Sequence, residues 1–131
     1  MDDLYREVIV EHYKNPQFRG ELVPSDYSGE DENPLCGDHI KIDLRVDQAG
    51  KITEAGFSGH GCAISQASTD LLLESVIGKS IEEVKELEKE DVLDLLGIEL
   101  GPVRLKCALL PLKVIKIGVY GVANLPSELN N

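Results

Sequence analysis

The chain has three cysteines, Cys36, Cys62 and Cys107, and the first stands one glycine away from an aspartate in the stretch Asn33-Pro-Leu-Cys-Gly-Asp-His-Ile40. Thiolate and carboxylate both ligate metals, and thiolate is also the nucleophile of sulfur exchange. Taken locally, the stretch fits a tight turn that contains a thiol as well as it fits half of a metal site. The settings of the other cysteines bear on the choice. Each cysteine is expected at a junction: Cys36 before a strand, Cys62 at a helix start after a glycine-rich turn, and Cys107 at the start of another helix. Helix starts present free N–H groups and partial positive charge, which favour thiolate. Such positions can converge at one edge of a small α+β domain, with Asp38 supplying an oxygen ligand beside three thiolates. That donor set suits tetrahedral zinc and would also suit a small iron–sulfur cluster. The spacing alone is a weak signal, because there is no C-x-x-C pair and scattered free cysteines are commonly buried and inert.

The elements that must position these residues follow from the pattern. Leu4, Tyr5, Val8, Ile9, His12 and Tyr13 form a helical stripe over residues 2 to 14, opened by Asp2 and Asp3 and stopped by Asn15-Pro16. Residues 17 to 34 read as loop, with a short strand near Leu22 and loop again at Asp31-Glu-Asn-Pro34. Ile40, Ile42, Leu44 and Val46 alternate with Lys41, Asp43, Arg45 and Asp47, the signature of a half-buried strand. A turn at Asp47 to Gly50 returns the chain as a second strand from Lys51 to Phe57, giving a hairpin. Gly56, Gly59 and Gly61 are expected to bend the backbone around His60.

A helix follows Cys62, with Ile64, Ala67, Leu71, Leu72 and Val76 on one face and a stop at Gly78. Ser80 and Glu83 form a capping box for a short helix to about Leu87, and another short helix runs from about Asp91 to Leu96, ended by Gly97. Proline is tolerated in a first helical turn, so Pro111 places the start of the last helix near Cys107. No repeat or linker is visible, and residues 1–131 are expected to form one domain.

A chain of 131 residues can build a core without metal or disulfides, so a metal here would be functional rather than a staple. No apolar run approaches the roughly 20 residues needed to span a bilayer, and the first residues lack the profile of a signal peptide. The expectation is a cytoplasmic protein without membrane attachment, whose thiols stay reduced. The net charge of −11 argues against a nucleic-acid partner. Between Gly101 and Ser127 there is no acid, while Arg104, Lys106, Lys113 and Lys116 fall there. This island is either a set of solvated cations late in a helix or a positive collar around Cys107 that docks an acidic partner.

Three cysteine motifs carry a resemblance: "NPLCGD", "GFSGHGCAISQAS" with "IGKS" after a helix, and "PVRLKCALLPLKVIK". With the opening "LYREVIVEHYKNPQFRG", they resemble the iron–sulfur cluster assembly scaffold family of IscU, SufU and the NifU N-terminal domain, over nearly the whole chain and in order. The resemblance implies an α+β fold in which a small three-stranded antiparallel sheet packs against helices, with the metal site at one edge. It implies Cys36, Asp38, Cys62 and Cys107 as ligands of a transient [2Fe-2S] cluster or of Zn2+. It also implies a pyridoxal-phosphate cysteine desulfurase as sulfur donor and apo iron–sulfur proteins as recipients.

In IscU-type members a histidine precedes the third cysteine; here the residue is Lys106, as in the SufU type. The SufU type carries an insertion between the second and third cysteines, for which the segment from Cys62 to Cys107 leaves no room. The chain thus stands between the two types. The chaperone-docking run of IscU-type members corresponds only loosely to Leu100-Gly-Pro-Val-Arg104, so a chaperone partner does not carry over.

A site of three thiolates and a carboxylate is net negative when it holds Zn2+ or a cluster, and Lys106 and Arg104 are placed to offset that excess without ligating. Cys107 and Cys36 are the candidate persulfide acceptors, Cys107 for the cation beside it. For His60 a substitute ligand or proton acceptor is the minority reading beside a structural role; His39 and His12 read as structural or solvated. The expected function is a scaffold that accepts desulfurase sulfur, builds a [2Fe-2S] cluster and hands it on, without turnover in the usual enzymatic sense. The alternative is a zinc-dependent sulfurtransferase of the SufU type.

Overall fold

The computed structural model describes residues 2–34 and 37–121. In chain order the elements are α1 (Asp2–Lys14), β1 (Tyr27–Asn33), β2 (Asp38–Val46), β3 (Ile52–His60), α2 (Ala63–Val76), α3 (Ile81–Lys85), α4 (Lys89–Leu96) and α5 (Pro102–Tyr120). The three strands form one antiparallel sheet in the order β1-β2-β3. The helices cover one face of the sheet: α5 lies along β1 and β2, and α2 packs on β3 and between α1 and α5.

Alternation in β2 does what the sequence pattern required. Ile40, Ile42 and Leu44 are buried toward the helices and meet Phe57, Leu72, Val114 and Ile115 in the core. Asp38 begins β2 in phase with Ile40, so its carboxylate points to the helix side and is fully buried. Asp43, out of phase, is buried too, because the segment before β1 crosses the outer face. Asp43 accepts hydrogen bonds from Leu22 N (3.2 Å) and Ser28 Oγ (2.7 Å). Ser80 caps α3 with its reciprocal partner Glu83, and Gly97 ends α4 in the left-handed region at φ 66°, as the pattern indicated.

Three expectations need correction. Residues 17–34 are not all loop: Tyr27–Asn33 is a strand, paired in register from Tyr27↔Leu44 to Asn33↔Asp38. Apart from Tyr27, which packs against the core, its sequence YSGEDEN lacks apolar residues because it is an edge strand whose inner face meets α5 backbone to backbone. A Cβ on Gly29 would stand 2.2 Å from the Val114 carbonyl oxygen and 2.6 Å from Gly118 N. The glycines after residue 55 do not bend the chain at His60, since β3 continues to that residue. They allow close approach instead: Gly56 abuts the Gly20 carbonyl, and Gly59, at φ 113°, abuts that of His39.

Cys107, finally, is not at a helix start. Pro102 occupies the first turn of α5, Leu105 N bonds the Gly101 carbonyl at 2.9 Å, and Cys107 and Pro111 both lie inside the helix. An interior proline disturbs the ladder around the carbonyls three and four residues back. Here Ser68 Oγ donates to the Ala108 carbonyl at 2.7 Å, so a side chain of α2 serves the disturbed turn.

From its C-terminal end, α5 runs back along β1 through three contacts: Gly118 on Gly29, Lys113 Nζ to Asp31 Oδ2 at 2.9 Å, and Cys107 Sγ to Asn33 Nδ2 at 3.9 Å. The spacing is comparable, since 11 helical residues at ~1.5 Å cover roughly 16 Å and 4 strand residues at ~3.3 Å roughly 13 Å. Replacing Gly29 by alanine should lift this helix off the strand and destabilise the fold by about 2 kcal/mol or more, measurable by urea unfolding. A midpoint equal to the parent's would show that the close approach is dispensable.

Candidate metal centre

The buried end of the sheet is built around Asp38. Its Oδ1 accepts the Cys62 backbone N–H at 2.8 Å, and Cys62 is the residue that opens α2. A carboxylate therefore sits where the helix presents its unpaired donors and positive end. Gly61 is required for this meeting: a Cβ there would lie 2.7 Å from Asp38 Oδ1 and 2.4 Å from Ser65 Oγ. Ser65, fully buried one turn into α2, donates to the Cys62 carbonyl at 3.1 Å, and its Oγ lies 3.9 Å from Cys62 Sγ.

Around this pair, one carboxylate oxygen of Asp38, Cys62 Sγ and Cys107 Sγ all lie within 4.8 Å of one another. Cys62 is exposed, whereas Asp38 and Cys107 are buried at 0% and 2% relative exposure. The set thus has one open side. Cys62 Sγ is 4.0 Å from Asp38 Oδ2. Ligands at ~2.3 Å and ~2.1 Å in a tetrahedron stand roughly 3.6 Å apart, so this pair needs to close by a few tenths of an ångström around an ion and the widest pair of the set, within 4.8 Å, by up to about 1 Å. Soft sulfur with one oxygen suits Zn2+ or iron, so the residues present fit either group.

Cys36 lies outside the described residues. The hairpin that contains it is closed by the Asn33↔Asp38 pair and by Gly37 N donating to the Asn33 carbonyl at 2.9 Å, with Gly37 at φ 69°. Gly37 thus takes a left-handed conformation that glycine adopts without strain, in keeping with the tight turn the stretch suggested.

The remaining expected residues separate. Arg104 is exposed and lines an open groove with Cys62, Arg6 and Leu100. Lys106 is exposed, one residue and so about 100° around α5 from buried Cys107. Lys113 pairs with Asp31, and buried Lys116 donates to the Lys85 carbonyl at 2.8 Å, ending α3. Half of the basic island therefore binds the fold together and is not a collar around Cys107. His60 does not join the thiol cluster among the described residues and stacks on His39 on the outer face instead. His12 is structural, with Nδ1 2.6 Å from the buried Asp70 carboxylate, which also accepts Phe18 N.

Sequence reading missed the side chains that hold the Cys62 turn. Gln66 Nε2 donates to the Gly61 carbonyl at 2.8 Å, and Arg19 donates to the Gly59 carbonyl at 2.7 Å and to Gln66 Oε1 at 3.3 Å. Arg19 also lies over the Phe57 ring. No local signal marks such contacts, because Arg19 and Gln66 are 47 residues apart.

One exposed and one buried thiol gathered with a buried carboxylate beside the N-terminus of α2, on the end of a three-stranded antiparallel sheet, define a class of small α+β proteins with a candidate thiolate metal site. The chain belongs to the NifU-like N terminal domain family, whose match runs over residues 4–125. It is 37% identical to the zinc-dependent sulfurtransferase SufU of Bacillus subtilis, over 91% of each chain. It is 35% identical to the iron–sulfur cluster assembly scaffold protein IscU of Escherichia coli K12, over 88% of this chain and 91% of that one. The alignment to SufU spans 137 positions, more than the 131 residues present here, so that relative has residues with no counterpart in this chain. A crystal structure from Fervidobacterium islandicum, described as a cluster assembly scaffold protein for a SUF system, superposes with TM-score 0.73 at 31% identity, covering 86% of this chain and 94% of that one.

Asp38 has two separable roles, and two substitutions divide them. Asp38→Asn keeps an oxygen that accepts the Cys62 N–H but removes the charge. Asp38→Ala removes both, and should cost the apo-protein about 1.5–3 kcal/mol relative to the parent. Both variants should release Zn2+ faster than the parent to a competing chelator. Equal release rates in all three would show that Asp38 holds no metal.

Proposed function

We propose that the chain is an iron–sulfur cluster assembly scaffold: it accepts sulfur from a cysteine desulfurase, assembles a [2Fe-2S] cluster from that sulfur and iron, and passes the cluster to apo-proteins. The observation that carries this reading is the convergence of Asp38, Cys62 and Cys107 within 4.8 Å at a site with one open side. Cys36 is the proposed fourth ligand, since two residues of chain keep its Cα within about 7.6 Å of that of Asp38. Iron and sulfur are cargo here, and the protein supplies the arrangement of donors. Three thiolates hold iron firmly, while the carboxylate is the harder, more readily exchanged donor, which suits a cluster that must leave.

Sulfur arrives when a thiolate of this chain attacks the outer sulfur of the desulfurase persulfide, forming a new S–S bond and releasing the desulfurase thiolate. Cys107 and Cys36 remain the proposed acceptors. Because Cys107 is buried, sulfur reaches it through the exposed Cys62 or after the site opens in the complex. Reducing persulfide sulfur to sulfide takes more electrons than ferrous iron provides, so assembly also needs a thiol or electron-carrier reductant. Arg104 and Lys106, both exposed, are proposed to balance the negative loaded site.

The second reading is a zinc-dependent sulfurtransferase, favoured by Lys106 in place of histidine and by the 37% identity to SufU. Residues 1–131 are proposed to act as a single domain in either case. Anaerobic incubation with desulfurase, cysteine, ferrous iron and dithiol should give visible charge-transfer absorption and cluster transfer to an apo-ferredoxin. Absence of both would end the scaffold reading. The zinc reading instead requires stoichiometric zinc in the purified protein and faster desulfurase turnover on its addition, lost when the zinc is removed.

With desulfurase and cysteine alone, iron and dithiol left out so that a persulfide persists, Cys62→Ser separates the two routes to Cys107. Relay through Cys62 abolishes the sulfur-mass adduct on the Cys107 peptide, whereas direct acceptance leaves it unchanged. The present burial of Cys107 leads us to expect relay.

A further inference from the structure

The outer face of the sheet carries a second set of ligating side chains, which the thiol cluster does not use. Glu32, His39 and His60 are direct cross-strand partners, one on each strand, and so form a single row. Glu30 stands two residues from Glu32 on the same face of β1. His39 Nε2 lies 2.5 Å from Glu30 Oε2, and its Nδ1 lies 3.9 Å from Glu32 Oε2. The His39 and His60 rings stack with centroids 6.0 Å apart and planes inclined by 26°. All of these side chains reach solvent.

Charge is unbalanced in this row. Among the described residues, the ion-pair partner of both Glu30 and Glu32 is His39, which carries at most one positive charge. The nearby Lys41, opposite Glu30 across the strands, donates to Glu21 Oε1 at 3.3 Å and lies 3.8 Å from Asp43; its hydrogen bond to Glu21, then the Asp43 charge, with smaller contributions from the Glu21 and Glu30 charges, raise its pKa, so one lysine is shared among these three carboxylates. Directly opposed residues have Cβ atoms about 4.5–5.5 Å apart, a span from which neighbouring imidazole and carboxylate groups reach one ion at ~2.0–2.2 Å.

We propose that His39 and His60, with Glu30 or Glu32, form a nitrogen–oxygen site for one divalent cation of borderline softness, the class of Zn2+, Fe2+ and Co2+. Paired imidazoles select that class over Mg2+ and Ca2+. Among the described residues these donors do not already converge as the thiol cluster does, so ion binding requires the His39 and His60 rings and a carboxylate to rotate toward one point. His39 follows Asp38 in the chain, but alternation puts the two on opposite faces, so both sites can be loaded together.

Titrating the full-length, reduced chain with Co2+ under anaerobic conditions reads the two sites separately. Thiolate ligation produces an intense sulfur-to-cobalt charge-transfer band, while nitrogen–oxygen ligation produces only weak d–d bands. The parent should take up two equivalents of Co2+, one with the band and one without. His39→Ala combined with His60→Ala should lose the bandless equivalent and keep the other. Glu30→Gln combined with Glu32→Gln should weaken the bandless equivalent, and decides the matter should the histidine variant misfold. A parent that binds only the banded equivalent, or a bandless equivalent that survives both variants, would overturn the proposal. A His-dependent equivalent in a chain without the band would uphold it while removing the thiolate reading above.

Discussion

The hydrogen bond from the Cys62 amide to the Asp38 carboxylate is the junction on which the site depends. It ties the first residue of β2 to the residue that opens α2, and so fixes where the sheet ends against the helix layer. A carboxylate buried without partners would be costly. Here the helix N-terminus supplies the donor, and Gly61 leaves the space in which the two can meet. The same junction leaves Asp38 Oδ2 facing the Cys62 thiol, one carboxylate thereby serving the fold and the candidate metal site at once.

The third thiol is delivered by a different constraint. Two glycines, Gly29 and Gly118, let α5 lie directly on the backbone of β1, and the Lys113–Asp31 pair holds its heading. Cys107 then arrives at Asn33, the strand residue that pairs with Asp38. Rigid elements thus carry two thiols and a carboxylate to one point. Burial is uneven across the cluster, with Cys62 open and Cys107 covered. An open thiol beside a shielded one suits exchange at the surface followed by retention inside.

The two faces of the sheet differ in chemistry. Toward the helices, sulfur donors gather around a buried carboxylate; on the outer face, imidazoles and carboxylates stand in solvent. Because side chains alternate along β2, neighbouring residues Asp38 and His39 contribute to opposite faces, and one strand end can serve two kinds of ligand.

Much of this was legible without coordinates. The alternation from Ile40 to Val46, the Ser80–Glu83 capping box and the glycine after Cys36 act locally, through side-chain period and allowed backbone angles, and each was readable in place. The cysteine motifs, by resemblance, pointed to the three-stranded sheet and to Asp38, Cys62 and Cys107 as residues that come together. What only the tertiary structure decided were features set by residues distant in the chain. The acidic edge strand from Tyr27 is stable because α5 covers its glycine, and α5 runs through Pro111 beside a serine of α2 that bonds the Ala108 carbonyl. Cys107 is therefore a buried interior thiol rather than a helix-start one, and His60 belongs to the outer face. Local sequence specifies which residues can ligate, but burial and direction depend on which element packs over each residue.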